Sequence, residues 1–235
     1  MEGRTALPPP IGYARFAGFA YLLIIVLGVV SVGAIDSSLI VEGDKAATAR
    51  NIVTHEEVFR LGIAGTIILY ASVLALSWSL YVVLKPINAR LCLLALLFRS
   101  AEGVLGAATA ILSLAVLAVL AQEGSDVPHL VGTLVEARTA ALDIVLVFVG
   151  VGGTAFCYLF FASKFIPRFL SVWGIVTYGS MLGLGMLSIL WPGHPRVIEL
   201  VLYGSGTLFE VSIGLWLLVK AINIQKWSLS VGGSK

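Results

Sequence analysis

The chain has 235 residues, of which 59% are hydrophobic and only 12% are charged, and its mean hydropathy is +1.01. A soluble domain has roughly 45–50% apolar and about 25% charged residues, and it cannot hide so large an apolar excess from water. This composition excludes a soluble enzyme and predicts an integral membrane protein. A net charge of +2 without a basic run excludes a nucleic-acid partner, and two cysteines exclude a disulfide-stapled secreted domain.

Six apolar segments are long enough to cross a bilayer, which takes about 20 mainly apolar residues in a helix. They lie at about 12–35, 60–84, 91–120, 138–162, 167–190 and 198–220. Most of the connections are short, so residues 1–235 are expected to form a single integral membrane domain. The predicted fold class is therefore all-α, a bundle of six transmembrane helices.

Charged residues at or beyond the ends of the apolar segments are divided unevenly between the two ends of this bundle. The first end, which we call the basic end, has one acid, Glu2, and nine basic residues: Arg4, Arg15, Lys85, Arg90, Lys164, Arg168, Lys220, Lys226 and Lys235. The second, which we call the acidic end, has five basic residues and nine acids. Because basic residues concentrate on the cytoplasmic side, both termini are predicted to be cytoplasmic.

Two longer connections at the acidic end contain helix-start signals. Asp44 precedes a segment that we expect to form a short interfacial helix. The pattern from Thr54 to Glu57 predicts a capping box, in which the threonine starts the second span. Asp126 and Pro128 predict a further helix start in the connection 121–137.

Four charged residues lie well inside the apolar segments, away from the segment ends, namely Arg99, Glu102, Asp143 and Glu210. Each costs from ~2.5 to more than ~10 kcal/mol near the bilayer centre. At a rise of about 1.5 Å per residue, Arg99 lies about 14 Å from Arg90, and Glu210 lies about 15 Å from Lys220. The two residues are thus expected at nearly the same depth from the basic end.

A central cluster follows from these depths. Glu102 is one helical turn from Arg99 and can meet it on one face, whereas Asp143 belongs to a layer nearer the acidic end. An arginine can hold two carboxylates at once, and the excess negative charge is relieved if one carboxyl group stays protonated. We call Arg99, Glu102 and Glu210 the polar trio. The candidate ligand or ion-pathway residues are Arg99, Glu102, Glu210, Tyr70 and Tyr178.

Three roles are open for the polar trio. A buried ion pair can simply fix helix register, because separating the two partners would leave an unpaired charge in the apolar interior. The trio can also form a ligand site or an ion pathway. A catalytic acid–base pair is the third role, although two carboxylates without a nucleophile or metal ligand make a poor reaction centre.

The predicted function is therefore that of a non-enzymatic polytopic membrane protein that binds a small ligand or lipid, or serves as a subunit of a larger membrane complex. One alternative is a transporter or a proton or ion pathway using Glu102 and Glu210. A second is an intramembrane enzyme acting on a lipid or quinone. The expected partners are the lipid bilayer and other membrane subunits, and no cofactor can be assigned.

The three histidines, His55, His129 and His194, lie in the three connections at the acidic end. They are weak candidates for a metal site, because no pair has metal-ligand spacing. We expect them to be solvated and predict no metal site.

Glycines at positions 179 and 183 form a small-xxx-small pattern on the fifth span. This spacing is typical of a helix face on which another helix packs closely. We therefore predict a close helix contact at Gly179 and Gly183.

Five motifs together resemble one family. They are FRLG at 59–62, LYVVLKPIN at 80–88, LFRSAE at 97–102, SKFIPRFL at 163–170 and FEVSIGLWLLVK at 209–220. The chain is similar over about residues 12–221 to the DUF4386 family of bacterial integral membrane proteins, whose pattern includes the positions of the polar trio. This resemblance implies a six-helix protein of the bacterial cytoplasmic (inner) membrane, and it supplies no reaction and no ligand.

Overall fold

The computed structural model describes residues 9–232 of the chain. Within these residues the protein is helical throughout its regular structure and contains no β-strand. The predicted all-α class is confirmed, and six helices are long and apolar enough to cross a membrane. Glu2, Arg4 and Lys235, which entered the charge comparison, lie outside the described residues.

We number the helices α1 to α8 in chain order. Their bounds are α1 Ile11–Leu39, α2 Lys45–Thr54, α3 Glu56–Leu84, α4 Ala89–Leu120, α5 Val127–Ser163, α6 Arg168–Leu190, α7 Arg196–Lys220 and α8 Ile224–Gly232. The membrane-spanning candidates are α1, α3, α4, α5, α6 and α7. Within α1, residues Val29–Asp36 adopt a π-helix.

The six long helices form a ring in which each helix packs on two neighbours. In order around the ring they are α1, α3, α4, α5, α6 and α7, and α7 closes the ring by packing on α1. Neighbours along the chain are mostly neighbours in space because the connecting turns are short. A ring of this kind leaves room for a cavity along its axis.

Two clusters of buried apolar side chains fill the two ends of this ring. The larger cluster lies toward the basic end and includes Ala17, Leu80, Val83, Ala95, Phe160 and Ile213. The smaller cluster lies toward the acidic end, where α2 packs mainly on α5 and to a lesser extent on α3. It includes Leu39, Ile52, Phe59, Ala110 and Val131. The candidate site lies between the two clusters.

Helix α5 begins well before the span predicted at 138–162. Asp126 is its N-cap, and Pro128 stands in its first turn, where a missing backbone N–H leaves no bond unmade. The additional turns pack against α2, and the ammonium group of Lys45 lies 3.0 Å from a carboxylate oxygen of Glu136. The predicted helix start is confirmed, but most of the connection is helix rather than loop.

The short helix predicted after Asp44 is present, but the capping box is wrong. The carboxylate of Asp44 accepts a hydrogen bond of 2.8 Å from the backbone N–H of Ala47 and so caps α2. Thr54 is the last residue of α2, and its hydroxyl donates back to the carbonyl of Arg50 at 2.8 Å. His55 is therefore the N-cap of α3, since a threonine still inside a helix bonds its own preceding turn.

The predicted contact at Gly179 and Gly183 is also wrong. A Cβ atom added at either position would meet no described atom within 4 Å, so both glycines face away from the rest of the bundle. Other glycines make the close crossings. A Cβ at Gly18 would lie 2.4 Å from the backbone of α7, and one at Gly150 would lie 2.6 Å from the backbone of α6.

A charged bridge joins three helices near the acidic end. The guanidinium of Arg138 on α5 lies 2.8 Å from the carboxylate of Asp36 on α1 and donates to the hydroxyl of Ser113 on α4 at 3.2 Å. Both charged side chains are mostly buried. This bridge could not be predicted from the sequence, because Arg138 and Asp36 are 102 positions apart in the chain.

Candidate functional site

The polar trio lies near the middle of the bundle, where Arg99 and Glu102 are buried and Glu210 is half-buried. Arg99 and Glu102 follow each other by one turn on α4, with exposed fractions of 3% and 5%. Their Nη1 and Oε2 atoms lie 2.8 Å apart. Glu210 on α7 accepts a hydrogen bond of 2.8 Å from the hydroxyl of Tyr178 on α6. The structure thus gathers residues that the sequence placed at one depth.

Tyr178 connects the two halves of this cluster. The guanidinium carbon of Arg99 stands 5.8 Å from the centre of the Tyr178 ring, which is a cation–π distance. The edge of Phe209 packs on the same ring, with 5.7 Å between ring centres. The Tyr178 hydroxyl also lies 3.5 Å from the hydroxyl of Tyr21 on α1. Tyr178 is held on several sides, so its hydrogen bond orients Glu210.

Two adjacent glycines on α5 make room for these large side chains. A Cβ at Gly152 would lie 2.7 Å from the Cγ atom of Arg99. A Cβ at Gly153 would lie 2.4 Å from the ring of Tyr178. Any larger residue at either position would push the arginine or the tyrosine away, so the local sequence of α5 is part of the site.

A central cavity of about 530 Å³ lies above the polar trio, on the side toward the acidic end. All six long helices line it, and most of its wall is apolar. Its polar lining residues are Tyr70, Arg99, Glu102, Thr177, Tyr178, Tyr203, Thr207 and Glu210. The volume lies within the range of about 300–1,000 Å³ that is typical of small-molecule sites.

One buried polar atom on the wall of the central cavity, Oγ1 of Thr177, lacks a hydrogen-bond partner within the described residues. On the same wall, Nη1 of Arg99 and Oε2 of Glu102 form an ion pair at 2.8 Å, and neither atom makes a hydrogen bond to another described residue. Buried polar groups in proteins are nearly always satisfied, so these side chains give the apolar cavity a polar wall that can pair with polar groups of another molecule.

Helices α1 and α7 pack closely toward the basic end and separate toward the acidic end. A Cβ at Gly18 or at Gly214 would meet the partner helix at 2.4 Å or 3.0 Å. Nearer the acidic end, a Cβ at Gly204 of α7 would meet nothing within 4 Å, and one at Gly28 of α1 would meet only α3. The two helices therefore diverge beside the central cavity.

The divergence produces a side opening, which we define by Val29 and Val32 of α1 and Tyr203 and Thr207 of α7. All four residues line the cavity, and the first three are also exposed on the outside of the bundle. The α1 side of the opening is the π-helical segment. This conformation is rare in proteins as a whole, but where it occurs it is often found at functional sites. The exposed apolar flanks of this opening are typical of a surface in contact with lipid.

The other candidate residues have separate positions. The ring of Tyr70 packs against Gly106 and lines the central cavity, whereas Asp143 on α5 does not line the cavity. His55 lies between α2 and α3, and His129 lies in the first turns of α5. His194 is buried rather than solvated, with Nε2 2.9 Å from the hydroxyl of Ser188.

These histidines do not converge on one another. Within residues 9–232, no three His, Cys, Asp or Glu side chains lie close enough together to hold a metal ion. Glu56, which follows His55 in the chain, pairs with Arg60 at 2.7 Å. His194 has an acidic neighbour, Glu199, whose Oε1 atom lies 3.5 Å from Nε2 of the histidine.

Sequence reasoning missed two members of the cluster, Tyr21 and Thr177. Tyr21 lies about 15 Å along α1 from Ile11 at 1.5 Å per residue, which is the depth of the polar trio. The depth argument could therefore have found it. Nothing in the sequence distinguishes Thr177 from the other hydroxyl residues of the spans, because a helical hydroxyl usually bonds its own preceding turn.

Comparison with known proteins gives a family. Residues 16–221 match the family described as Domain of unknown function (DUF4386), and this match covers most of the chain. Comparison with curated proteins and with solved structures gives no significant match. The multi-pass helical architecture and the family motifs agree with one another. The chain therefore belongs to the DUF4386 family, a family of unknown function.

Proposed function

We propose that this protein is a non-enzymatic membrane protein that binds one small molecule with an apolar body and an uncharged, hydrogen-bonding head. The ligand enters from the lipid through the side opening and places its head on the polar trio. The observation that carries this proposal is the buried Arg99–Glu102 ion pair, together with the Thr177 hydroxyl that lacks a hydrogen-bond partner within the described residues, on the wall of an otherwise apolar cavity.

The charges of the polar trio favour an uncharged head. One guanidinium and two carboxyl groups already compensate one another when one carboxyl group is protonated. A further full charge in this apolar region would be expensive unless it were paired. A hydroxyl group can instead accept from Arg99 and donate to the carboxylate of Glu102, whereas a carbonyl oxygen can accept from Arg99 or from a protonated carboxyl group.

A continuous path for ions through the bundle has less support. Below the polar trio, the layer toward the basic end is filled by buried apolar side chains, among them Leu80, Ala95 and Phe160. Polar groups that could carry an ion would have to replace this packing. A binding cavity that opens to the side needs no such path.

Orientation and location belong to the same proposal. We infer that residues 1–235 form one domain in the inner membrane of a bacterium, with the basic end and both termini in the cytoplasm. Gln122 lies in the connection between α4 and α5 at the acidic end. A cysteine at Gln122 is expected to react with a membrane-impermeant maleimide added outside intact cells, whereas protection until the cells are lysed would contradict the orientation.

A cavity-filling substitution tests the binding proposal. Gly28 borders the cavity, and a Cβ there would have its nearest neighbour at 3.7 Å, so Gly28→Phe is expected to fill the cavity without a backbone clash. Gly183→Phe is the matched control, because Gly183 is exposed and meets nothing within 4 Å. Native mass spectrometry in mild detergent should find a small apolar adduct on the wild type and on Gly183→Phe, and none on Gly28→Phe. Equal adducts on all three proteins, or none on the wild type, would contradict the proposal.

A further inference from the structure

A second pocket lies at the basic end, far from the polar trio. Its volume is about 340 Å³, and it is formed where the turn from α5 to α6 meets the end of α7 and the start of α8. We call it the basic pocket. Its lining includes Lys164, Phe165, Pro167, Lys220, Asn223 and Lys226.

Long-range hydrogen bonds hold the basic pocket in shape. The backbone N–H of Asn223 donates to the carbonyl of Phe165 at 3.0 Å. The ammonium group of Lys226 donates to the carbonyl of Lys164 at 3.2 Å. These bonds tie the segment after α7 to the turn after α5, so the pocket walls do not depend on one flexible loop.

The backbone at the rim of the pocket is also unusual. Lys164 and Ala221 have positive φ angles of 56° and 54°, a region that residues with a Cβ atom seldom adopt. Lys164 directly follows α5 and Ala221 directly follows α7, and their conformations end the two helices in sharp turns at the pocket. The surrounding contacts must over-determine these conformations, because each is locally unfavourable.

The basic pocket has three positive charges and no internal counter-ion. Lys164, Lys220 and Lys226 all line it. The described segments at this end, residues 9–20, 80–95, 160–175 and 215–232, contain no Asp or Glu. Mutual repulsion of three ammonium groups around one concave site is relieved by a bound anion.

The pocket lies where headgroups of a bilayer would be. Lys220 is the last residue of the membrane-spanning candidate α7, and Trp216 one turn earlier also lines the pocket. Helix α8 buries Trp227 against the bundle and leaves Ile224 and Leu229 exposed, the latter to 75%. A short helix with exposed apolar residues beside lysines is typical of a segment lying in the membrane interface.

We propose that the basic pocket binds the phosphate of an anionic phospholipid headgroup. Lys164, Lys220 and Lys226 surround the phosphate, and the acyl chains lie against the exposed apolar side of α7 and α8. A concave basic site between membrane helices is a physical match for such a headgroup. This inference is independent of the central cavity and of the ligand proposed for it.

The test uses the full chain in detergent, with dioleoylphosphatidylglycerol, dioleoylphosphatidylcholine and inorganic phosphate as probes. The test variant combines Lys164→Gln, Lys220→Gln and Lys226→Gln. Its control combines Arg15→Gln, Lys85→Gln and Arg90→Gln, which remove the same charge from the same end outside the basic pocket. Melting temperatures establish that both variants are folded, and native mass spectrometry measures the bound lipid.

Each basic residue near a phosphate contributes about a fivefold factor in affinity, ~1 kcal/mol, so three contribute about a hundredfold. We expect the wild type to retain phosphatidylglycerol in preference to phosphatidylcholine, the test variant to bind it about a hundredfold more weakly, and the control to stay within about fivefold of the wild type. Equal retention of the two lipids, or equal losses in the two variants, would overturn the proposal. Displacement of the lipid by inorganic phosphate would assign the pocket to a free phosphate and overturn the lipid assignment.

Discussion

Replacing Arg99 by methionine is expected to lower the free energy of unfolding by about 3–5 kcal/mol, the cost of removing one partner of a buried ion pair. Arg99 and Glu102 are both almost completely buried, and their charged atoms lie 2.8 Å apart. Without the guanidinium, a carboxylate would remain in an apolar interior. Thermal unfolding in detergent measures this loss.

Two controls separate this effect from a general effect of removing an arginine. Arg196 pairs with Glu42 at 2.5 Å, but both side chains are largely exposed, so Arg196→Met should cost at most about 1 kcal/mol. Arg99→Met combined with Glu102→Gln removes both charges and should recover most of the stability. If Arg99→Met and Arg196→Met melted alike, the buried pair would not contribute to stability as described.

The double substitution also distinguishes a packing role from a binding role. When the polar trio serves only to fix helix register, the folded double variant should keep every property of the wild type. The binding proposal predicts a folded protein that has lost its adduct in native mass spectrometry. A folded double variant that retained the adduct would remove Arg99 and Glu102 from the binding site.

Gly18→Leu is the second substitution with a large expected effect. A Cβ at Gly18 would lie 2.4 Å from the backbone nitrogen of Leu218 and 2.6 Å from the carbonyl oxygen of Gly214. The clash is with backbone, so α1 and α7 must move apart. Overpacking of this kind costs about 1–3 kcal/mol and sometimes more, and thermal unfolding should show a lower melting temperature.

Gly179→Leu is the matched control for this substitution. Gly179 also lies inside a spanning helix, but a Cβ there would meet nothing within 4 Å. Replacing a mid-helix glycine by a better helix former should leave the stability unchanged or raise it by up to about 1 kcal/mol. If Gly179→Leu destabilised the protein as much as Gly18→Leu, the assignment of the close crossing to α1 and α7 would be wrong.

The fold class and the depth of the site could be predicted because both follow from the energetics of the bilayer. Apolar length determines the number of helices that can span, and an ionisable residue in a span must find a partner. Arg99 and Glu210 were placed at one depth by counting residues from Arg90 and Lys220. The structure brings them to one cavity, where Tyr178 lies between them.

Helix rotation and neighbours could not be predicted in the same way. The depth of a residue in the membrane follows from counting residues along its own helix. Which side chains of different helices face one another depends instead on how the six helices pack. The pattern at Gly179 and Gly183 therefore predicted a contact that the structure does not have, while Gly18 and Gly150 make close crossings. The π-helical segment of α1 has no single residue, such as proline, that would predict it.

Local capping signals failed where tertiary structure changed their context. Thr54 has the residue type and spacing of an N-cap, yet it still belongs to α2 because that helix runs directly into α3. His194 likewise was expected in a solvated loop. The turn between α6 and α7 folds it back onto Ser188, and a buried position results.

The cavity above the polar trio is expected to take an uncharged amphiphile from the lipid. Photolabelling in vesicles with a monoacylglycerol carrying a diazirine in its acyl chain tests this binding most directly. A fatty acid and an alkylamine with the same labelled chain serve as charged controls. Peptide mapping then compares the buried cavity residues Val145 and Met181 with Ile111 on the exposed surface.

We expect the monoacylglycerol to label Val145 and Met181 more strongly than it labels Ile111, and more strongly than either charged probe labels them. This preference should disappear in Gly28→Phe and persist in Gly183→Phe. Labelling of the cavity residues that is no stronger than that of Ile111, or that Gly28→Phe leaves unchanged, would contradict binding in the central cavity.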